Sequence, residues 1–249
     1  MREIKLFGCP INAVKMEEAL RIIEGYIDGG TPRQAVFLNA GKLVEMDTNA
    51  ELADSVKKAD LRLADGQAVV WASRFLGRPL PERVAGVDLM QKLMEEGAKK
   101  GRRFFFLGAR QEVLEKAVEK SRKRFKDIAI SGSRNGYFSR EEEGSVVDEI
   151  RRASPDILFV GISSPKKEEF VERNLMSMNV PFTMGVGGSF DIVAGKRSRA
   201  PAVVQRVGME WLYRLLQEPS RMWRRYLVGN PIFIWKVAKC RLGICKCCR

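Results

Sequence analysis

The sequence predicts an α/β fold: a Rossmann-like parallel sheet with helices on both faces, followed by a C-terminal basic helical appendage. Three observations carry this expectation. Short apolar runs alternate with longer segments of helical pattern through the first 195 residues. Two middle runs, Phe104-Phe105-Phe106-Leu107 and Ile157-Leu158-Phe159-Val160, are apolar at every position. That fits strands covered on both faces, because a strand with one wet face alternates. Charge is also unevenly placed. Residues 196–249 carry 13 basic and two acidic residues, Glu210 and Glu218, whereas residues 1–195 carry 31 and 29.

Taken in order, the apolar runs predict strands at 4–7, 35–38, 61–64, 103–107, 128–131, 157–160 and 182–184. The segments between them predict helices near 16–28, 41–58, 86–100, 110–125, 139–153 and 165–177. The tail begins with Arg197-Ser198-Arg199-Ala200-Pro201. A helical stretch through 210–216 comes next, and Pro219 starts another. Three of the four tryptophans (Trp211, Trp223, Trp235) lie there among arginines. Arginine interleaved with Trp and Tyr fits a headgroup–water interface, and also single-stranded nucleic acid. The plainer reading is aromatic packing in a core helix.

Composition excludes several classes. At 249 residues, 45% hydrophobic and 30% charged, the chain is an ordinary globular one. It has no histidine, which removes His bases, Ser-His and Cys-His nucleophiles and His-ligated metals. Of five cysteines, Cys9 stands alone and four crowd the last ten residues, so a cytoplasmic protein without disulfide staples is expected. Cys245 and Cys248 have CxxC spacing, but no second ligand pair completes a metal site. A basic terminus with unpaired thiols is expected instead. The longest late apolar stretch, 226–235, is broken by Asn230-Pro231 and falls short of the roughly 20 residues that cross a bilayer.

In a parallel sheet, ligands sit beyond the carboxyl ends of the strands. The residues just after each run are therefore the candidates. They are Asn39, Asp65-Gly66, Gly108-Ala109, Asn135 with Gly136-Tyr137-Phe138, 161–165 and 185–191. Gly108, Gly187 and Gly188 suit close backbone approach to a nucleotide diphosphate, or ordinary tight turns. Asp65 suits a general base, and equally an N-cap for a helix starting near Gln67. Arg83 suits a phosphate, or a solvated loop. The run from Gly185 to Phe190 is not GxGxxG and comes after the last strand, which argues against a nicotinamide enzyme. No Asp-x-Asp occurs, so no metal and no cofactor is expected, and Arg, Lys and backbone N–H groups must meet a diphosphate.

Several strings together resemble the WecG/TagA/CpsF family of glycosyltransferases. They include Leu38-Asn39-Ala40, Ala64-Asp65-Gly66, Arg83-Val84-Ala85-Gly86-Val87-Asp88-Leu89, Phe106-Leu107-Gly108 and Asn135-Gly136-Tyr137-Phe138. Further along come Ser164-Pro165-Lys166-x-Glu168, Gly185-Val186-Gly187-Gly188-Ser189-Phe190-Asp191, Arg199-Ala200-Pro201, Glu210-Trp211-Leu212-Tyr213-Arg214-Leu215 and Glu218-Pro219-Ser220-Arg221. The resemblance runs in order from about residue 4 to about 228.

It implies an inverting, metal-independent transferase, peripheral on the cytoplasmic membrane face. Such enzymes move N-acetylmannosamine from its UDP conjugate to undecaprenyl-diphosphate-linked N-acetylglucosamine, in teichoic acid or polysaccharide synthesis. Another UDP-hexose donor is the alternative. By resemblance Asp65 is the base, with Asn39 and Arg83 in the same pocket. Gly108, Tyr137, Pro165, Lys167, Glu168, Gly187, Gly188 and Asp191 fall at donor-site motifs. Arg214, Arg221 and Arg224 match arginines that hold the lipid diphosphate. The charge division at residue 196 then separates a catalytic core, 1–195, from a membrane- and lipid-binding appendage, 196–249. The implied partners are the UDP-sugar, the lipid-linked acceptor and an anionic membrane surface, not nucleic acid; a homo-oligomer is left open. Two departures stand out: Lys167 where the family usually has glutamine, and Phe37 where it often has a smaller or polar residue.

Overall fold

The computed structural model describes residues 1–244, apart from the side chain of Arg221. The chain opens with β1 (Glu3–Leu6), β2 (Cys9–Asn12), α1 (Met16–Gly29), β3 (Arg33–Leu38), α2 (Ala40–Glu45), α3 (Ala50–Lys58), β4 (Leu61–Ala64) and α4 (Gln67–Phe75). It continues through α5 (Gly86–Lys99), β5 (Arg103–Gly108), α6 (Gln111–Arg124), β6 (Ala129–Arg134), α7 (Glu143–Ala153), β7 (Ile157–Gly161), α8 (Lys166–Met178), β8 (Phe182–Gly185) and α9 (Ser189–Val193). The tail forms α10 (Ala202–Arg206), α11 (Glu210–Gln217), α12 (Pro219–Trp223), a π-helical turn (Arg224–Val228) and α13 (Gly229–Arg241).

Six strands form one parallel sheet in the order β4-β3-β8-β7-β5-β6. Its apolar strands are buried on both faces. Along β5, Phe104 and Phe106 join one cluster with Phe159, Phe182 and Phe190, while Phe105 and Leu107 join another with Leu158 and Val160. Adjacent residues in a strand point to opposite faces, so a strand in a covered sheet must be apolar throughout.

The first expected strand departs from this picture. It pairs antiparallel with β2 instead of entering the sheet. The two-residue turn Phe7-Gly8, both with positive φ (52° and 77°), closes the hairpin. The Asn12 side chain accepts from the Arg62 backbone N at 2.6 Å, fastening the hairpin to β4 at the sheet's edge. The single helix expected over 41–58 is two. Asn49 breaks it, its side chain accepting from Leu52 N at 2.9 Å as the cap of α3.

The chain leaves β5 toward β6 in one direction and β7 toward β8 in the other, although β5 and β7 are neighbours. The loops after them therefore part, and a crevice opens at the carboxyl edge. Gly108 makes this possible. Its φ is +135°, and a Cβ there would lie 2.5 Å from the Gly161 backbone.

The tail lies back on this core. Phe233 of α13 is buried edge-on to Phe7, ring centroids 5.6 Å apart. Lys236 Nζ donates to Asp47 and to the Leu43 carbonyl. Cys240 is disulfide-bonded, which corrects the expectation of unpaired thiols for that residue. Cys245, Cys247 and Cys248 lie outside the described residues. Among the described residues no helix is long and apolar enough to cross a membrane.

Candidate active site

A cleft of about 1330 Å³ lies along the carboxyl edge of the sheet, larger than the roughly 300–1,000 Å³ that one small ligand needs. It collects most of the expected residues. Asn39, Asp65, Tyr137, Lys167, Gly187, Gly188, Asp191, Arg214 and Arg224 all line it. Arg83, Gly108, Pro165 and Glu168 do not line it; they stand behind residues that do. Arg221 lies on α12, and its side chain lies outside what is described.

Asp65 comes directly after β4, its backbone N donating to the Leu38 carbonyl at 2.8 Å. Its Oδ1 accepts from Gly86 N at 3.0 Å, the first residue of α5. The carboxylate thus marks a helix N-terminus, though of α5 rather than of α4, whose N-cap is Gly66. Asn39 caps α2, its Oδ1 accepting from Lys42 N at 3.1 Å. Phe37 forms an apolar wall beside both. A Cβ at Gly86 would already touch its ring at 3.4 Å.

The tail supplies the opposite wall. Glu210 on α11 is shared between Arg83 Nη1 at 2.7 Å and Arg214 Nη2 at 2.8 Å. Burial alone would raise the Glu210 pKa, but Arg214 and Arg83 hold the carboxyl below its usual range. Burial likewise opposes the Arg214 charge, and Glu210 with Asp65 more than offsets it, raising the guanidinium pKa. Arg83 therefore works through Glu210: it braces the carboxylate that orients Arg214 toward Asp65. Two further arginines clamp the loop before α10. Arg199 pairs with both oxygens of Asp88, and Arg197 bridges Asp191 and Glu218.

At the middle of the cleft floor stands a group that the sequence did not single out. Lys42 of α2 is buried, and its Nζ donates to Glu168 Oε1 at 2.5 Å. Lys167 Nζ reaches the same oxygen at 3.2 Å. Burial pushes the Glu168 carboxyl up, yet Lys167 and Lys42 overcome this and bring it to about 2. Burial and then Lys167 push Lys42 down to about 8, Glu168 offsetting only part. A lysine on a short helix ordinarily reads as solvated, so only its pairing with a residue 126 positions away identifies it.

On the far side of the floor, α9 and its preceding loop present Gly187 and Gly188, with Gly187 at φ +52°. Tyr137 stands largely exposed at the rim, its backbone N donating to Asn135 Oδ1 at 3.1 Å. Backbone amides, Arg110 and Arg197 together make this half of the cleft suited to phosphate oxygens. Among the described residues no three acidic or cysteine side chains gather in a way that would hold a metal ion.

Comparison with known proteins agrees with this geometry. The model of the family described as "Glycosyl transferase WecG/TagA/CpsF family" matches residues 4–245. A Bacillus spizizenii protein named N-acetylglucosaminyldiphosphoundecaprenol N-acetyl-beta-D-mannosaminyltransferase is 38% identical over 214 residues. The matched part covers 86% of this chain and 82% of that protein.

Proposed function

The chain belongs to the WecG/TagA/CpsF family of glycosyl transferases, and from that premise we propose its reaction: transfer of N-acetylmannosamine from a UDP donor to undecaprenyl-diphosphate-linked N-acetylglucosamine. The observation that carries this reading is that Asp65 and Arg214 line one cleft wide enough for two substrates. The donor's nucleotide and diphosphate lie over the loops after β5, β7 and β8, where Gly187, Gly188 and Asp191 line the floor. Asp65 takes the proton from the acceptor hydroxyl as it attacks the anomeric carbon, and UDP departs from the opposite face. Arg214, Arg224 and Arg221 meet the acceptor's diphosphate, and no metal is required. Core 1–195 holds the donor, and tail 196–249 brings the acceptor.

The tail's surface supports a membrane-bound acceptor. Trp223, Leu227, Ile234 and Trp235 are exposed. Tail cations lie over aromatic rings, among them Arg224 on Trp223, Arg225 on Tyr226, Lys239 on Trp235 and Arg241 on Phe75. Exposed aromatics ringed by cations suit anionic headgroups, each nearby Lys or Arg contributing about 1 kcal/mol. We therefore place the enzyme on the cytoplasmic face of the membrane, as a peripheral protein.

The test is product analysis with UDP-N-acetylmannosamine and a short-chain lipid-diphosphate N-acetylglucosamine acceptor, in excess EDTA. A disaccharide product in EDTA is expected. Activity abolished by EDTA and rescued by Mg²⁺ overturns the metal-free mechanism. Product only with another UDP-hexose overturns the donor assignment. That second reading has an observation behind it, since Phe37 and Lys167 both depart from the family's usual residues at the cleft floor.

A further inference from the structure

We propose that Lys167 is an oxyanion-binding residue of the cleft and that Lys42 is the positioning residue that keeps its charge available. The inference rests on reading the cleft as a nucleoside-diphosphate-sugar site, and it names what the floor recognises: a phosphate oxygen of the donor, or a carboxylate on its sugar.

Charge and reach both point to Lys167. Two ammonium groups share one carboxylate, and both bond the same oxygen, Glu168 Oε1. The nearer partner is Lys42, at 2.5 Å against 3.2 Å. The other oxygen, Oε2, is buried without a hydrogen-bond partner. Glu168 is thus committed to Lys42, and one positive charge is left over at the lip where Lys167 lines the cleft. Arg225 adds to the positive field from the tail side. A buried surplus charge is costly unless a counter-charge arrives. Among the described residues no carboxylate other than Glu168 is in contact with Lys167, so the counter-charge must come with a ligand.

The backbone is shaped for this lysine. Its side chain crosses Gly185 at the carboxyl end of β8, where a Cβ would overlap Lys167 Cδ at 2.6 Å and lie 3.1 Å from Nζ. A larger residue there would push the end of the lysine side chain off this path. The ammonium therefore stands at the centre of the sheet edge, between Asp65 on one side and the Gly187-Gly188 loop on the other. That is where the bond between sugar and diphosphate must lie if Asp65 is the base.

The same arithmetic assigns the role of Lys42. Without it, Glu168 would close fully on Lys167 and cancel its charge. Without Glu168 as well, Lys167 would be free again.

Titration calorimetry with uridine, UDP, a UDP-hexosamine and a UDP-hexuronic acid tests both roles. Lys167→Gln should leave uridine affinity unchanged and weaken an anionic ligand by about tenfold, the loss of one charge-assisted hydrogen bond. Loss already present with UDP identifies the diphosphate; loss confined to the hexuronic acid conjugate identifies a sugar carboxylate. Lys42→Met should reproduce the Lys167→Gln loss, and the double variant Lys42→Met/Glu168→Gln should restore affinity to within a few-fold of the unmodified protein. A merely structural Lys42 would leave the double variant as weak as the single or weaker, which overturns its positioning role. Equal affinity of Lys167→Gln and the unmodified protein for every anionic ligand overturns the oxyanion site while leaving the proposed function standing. Failure of the unmodified protein to bind UDP overturns both. Should Lys167→Gln not fold, Glu168→Gln decides: freeing both lysines should tighten binding of UDP or of the UDP-hexuronic acid, and failure to tighten either overturns the proposal.

Discussion

The parallel-sheet core and the C-terminal tail are held in different ways. In the core, Phe104, Phe105, Phe106 and Phe159 are wholly buried between helices. In the tail, α10 and α11 contain no buried residue, and Leu216 and Trp235 are 74% and 59% exposed. The core coheres by removing apolar surface from water. The tail is fastened mainly by charge, through Arg83–Glu210, Arg199–Asp88, Arg197–Asp191 and Lys236–Asp47, with Phe233 as its apolar anchor. The difference teaches that the two regions cohere by different forces. The core buries its apolar side chains within the chain, whereas the tail leaves Leu216, Trp223 and Trp235 exposed, as the proposed membrane-facing role requires.

The sharpest way to break this contrast is to separate the regions. A chain ending at residue 195 should keep a cooperative thermal unfolding transition and lose turnover altogether, along with sedimentation on anionic vesicles. Turnover by that truncated chain, or undiminished sedimentation, would dissolve the division. Asp65→Asn comes next. It preserves shape and removes the proton acceptor, so turnover should drop by about 10²–10⁴ while UDP affinity and melting temperature hold. Turnover within a few-fold of the unmodified enzyme would remove Asp65 from the base role.

Stability distinguishes the regions more quietly. Phe106→Ala deletes a ring packed between Phe159 and Phe190, at centroid distances of 5.7 and 5.2 Å, and should cost about 3–5 kcal/mol in denaturant unfolding. Leu216→Ala in the tail should stay within about 0.5 kcal/mol. Similar costs at the two positions would mean that the tail is packed like the core.

The smallest effect concerns pH. The Glu210 carboxyl sits below its ordinary value of 4.5, since Arg214 and Arg83 outweigh burial. A lowered carboxyl pKa contributes stability that is complete above the unfolded value and disappears as pH falls through the folded one. Tail docking, monitored by limited proteolysis between residues 196 and 210, should therefore hold above pH 4.5 and loosen below it, by no more than ~1 kcal/mol from this group. In Glu210→Gln that acid-dependent step should vanish. An unchanged step would remove Glu210 from that role.

Much of the fold was legible because covered parallel strands announce themselves locally. Residues 61–64 emerge as a strand with the bounds read from the sequence, and the runs at 104–107 and 157–160 are central. Asp65 and the loop at 187–188 were legible for a related reason: the residues just past each strand of such a sheet must lie at the ligand edge. The run at 4–7 differs: Lys5 interrupts it, and the alternating burial of β1 belongs to a hairpin with one wet face rather than to a covered parallel strand.

By itself, then, the sequence determined the periodic elements, the division of charge between core and tail, and the family strings that point to sugar transfer. Only the tertiary structure decided which charges meet. It turned Arg83 from a phosphate candidate into the brace of Glu210, 127 residues away, and drew Lys42 into the floor beside Glu168 and Lys167. The reason is physical. Periodicity and turn chemistry act within a few residues, whereas the strength of an ion pair depends on distance and burial, and both are set only when the sheet edge and the tail are brought together.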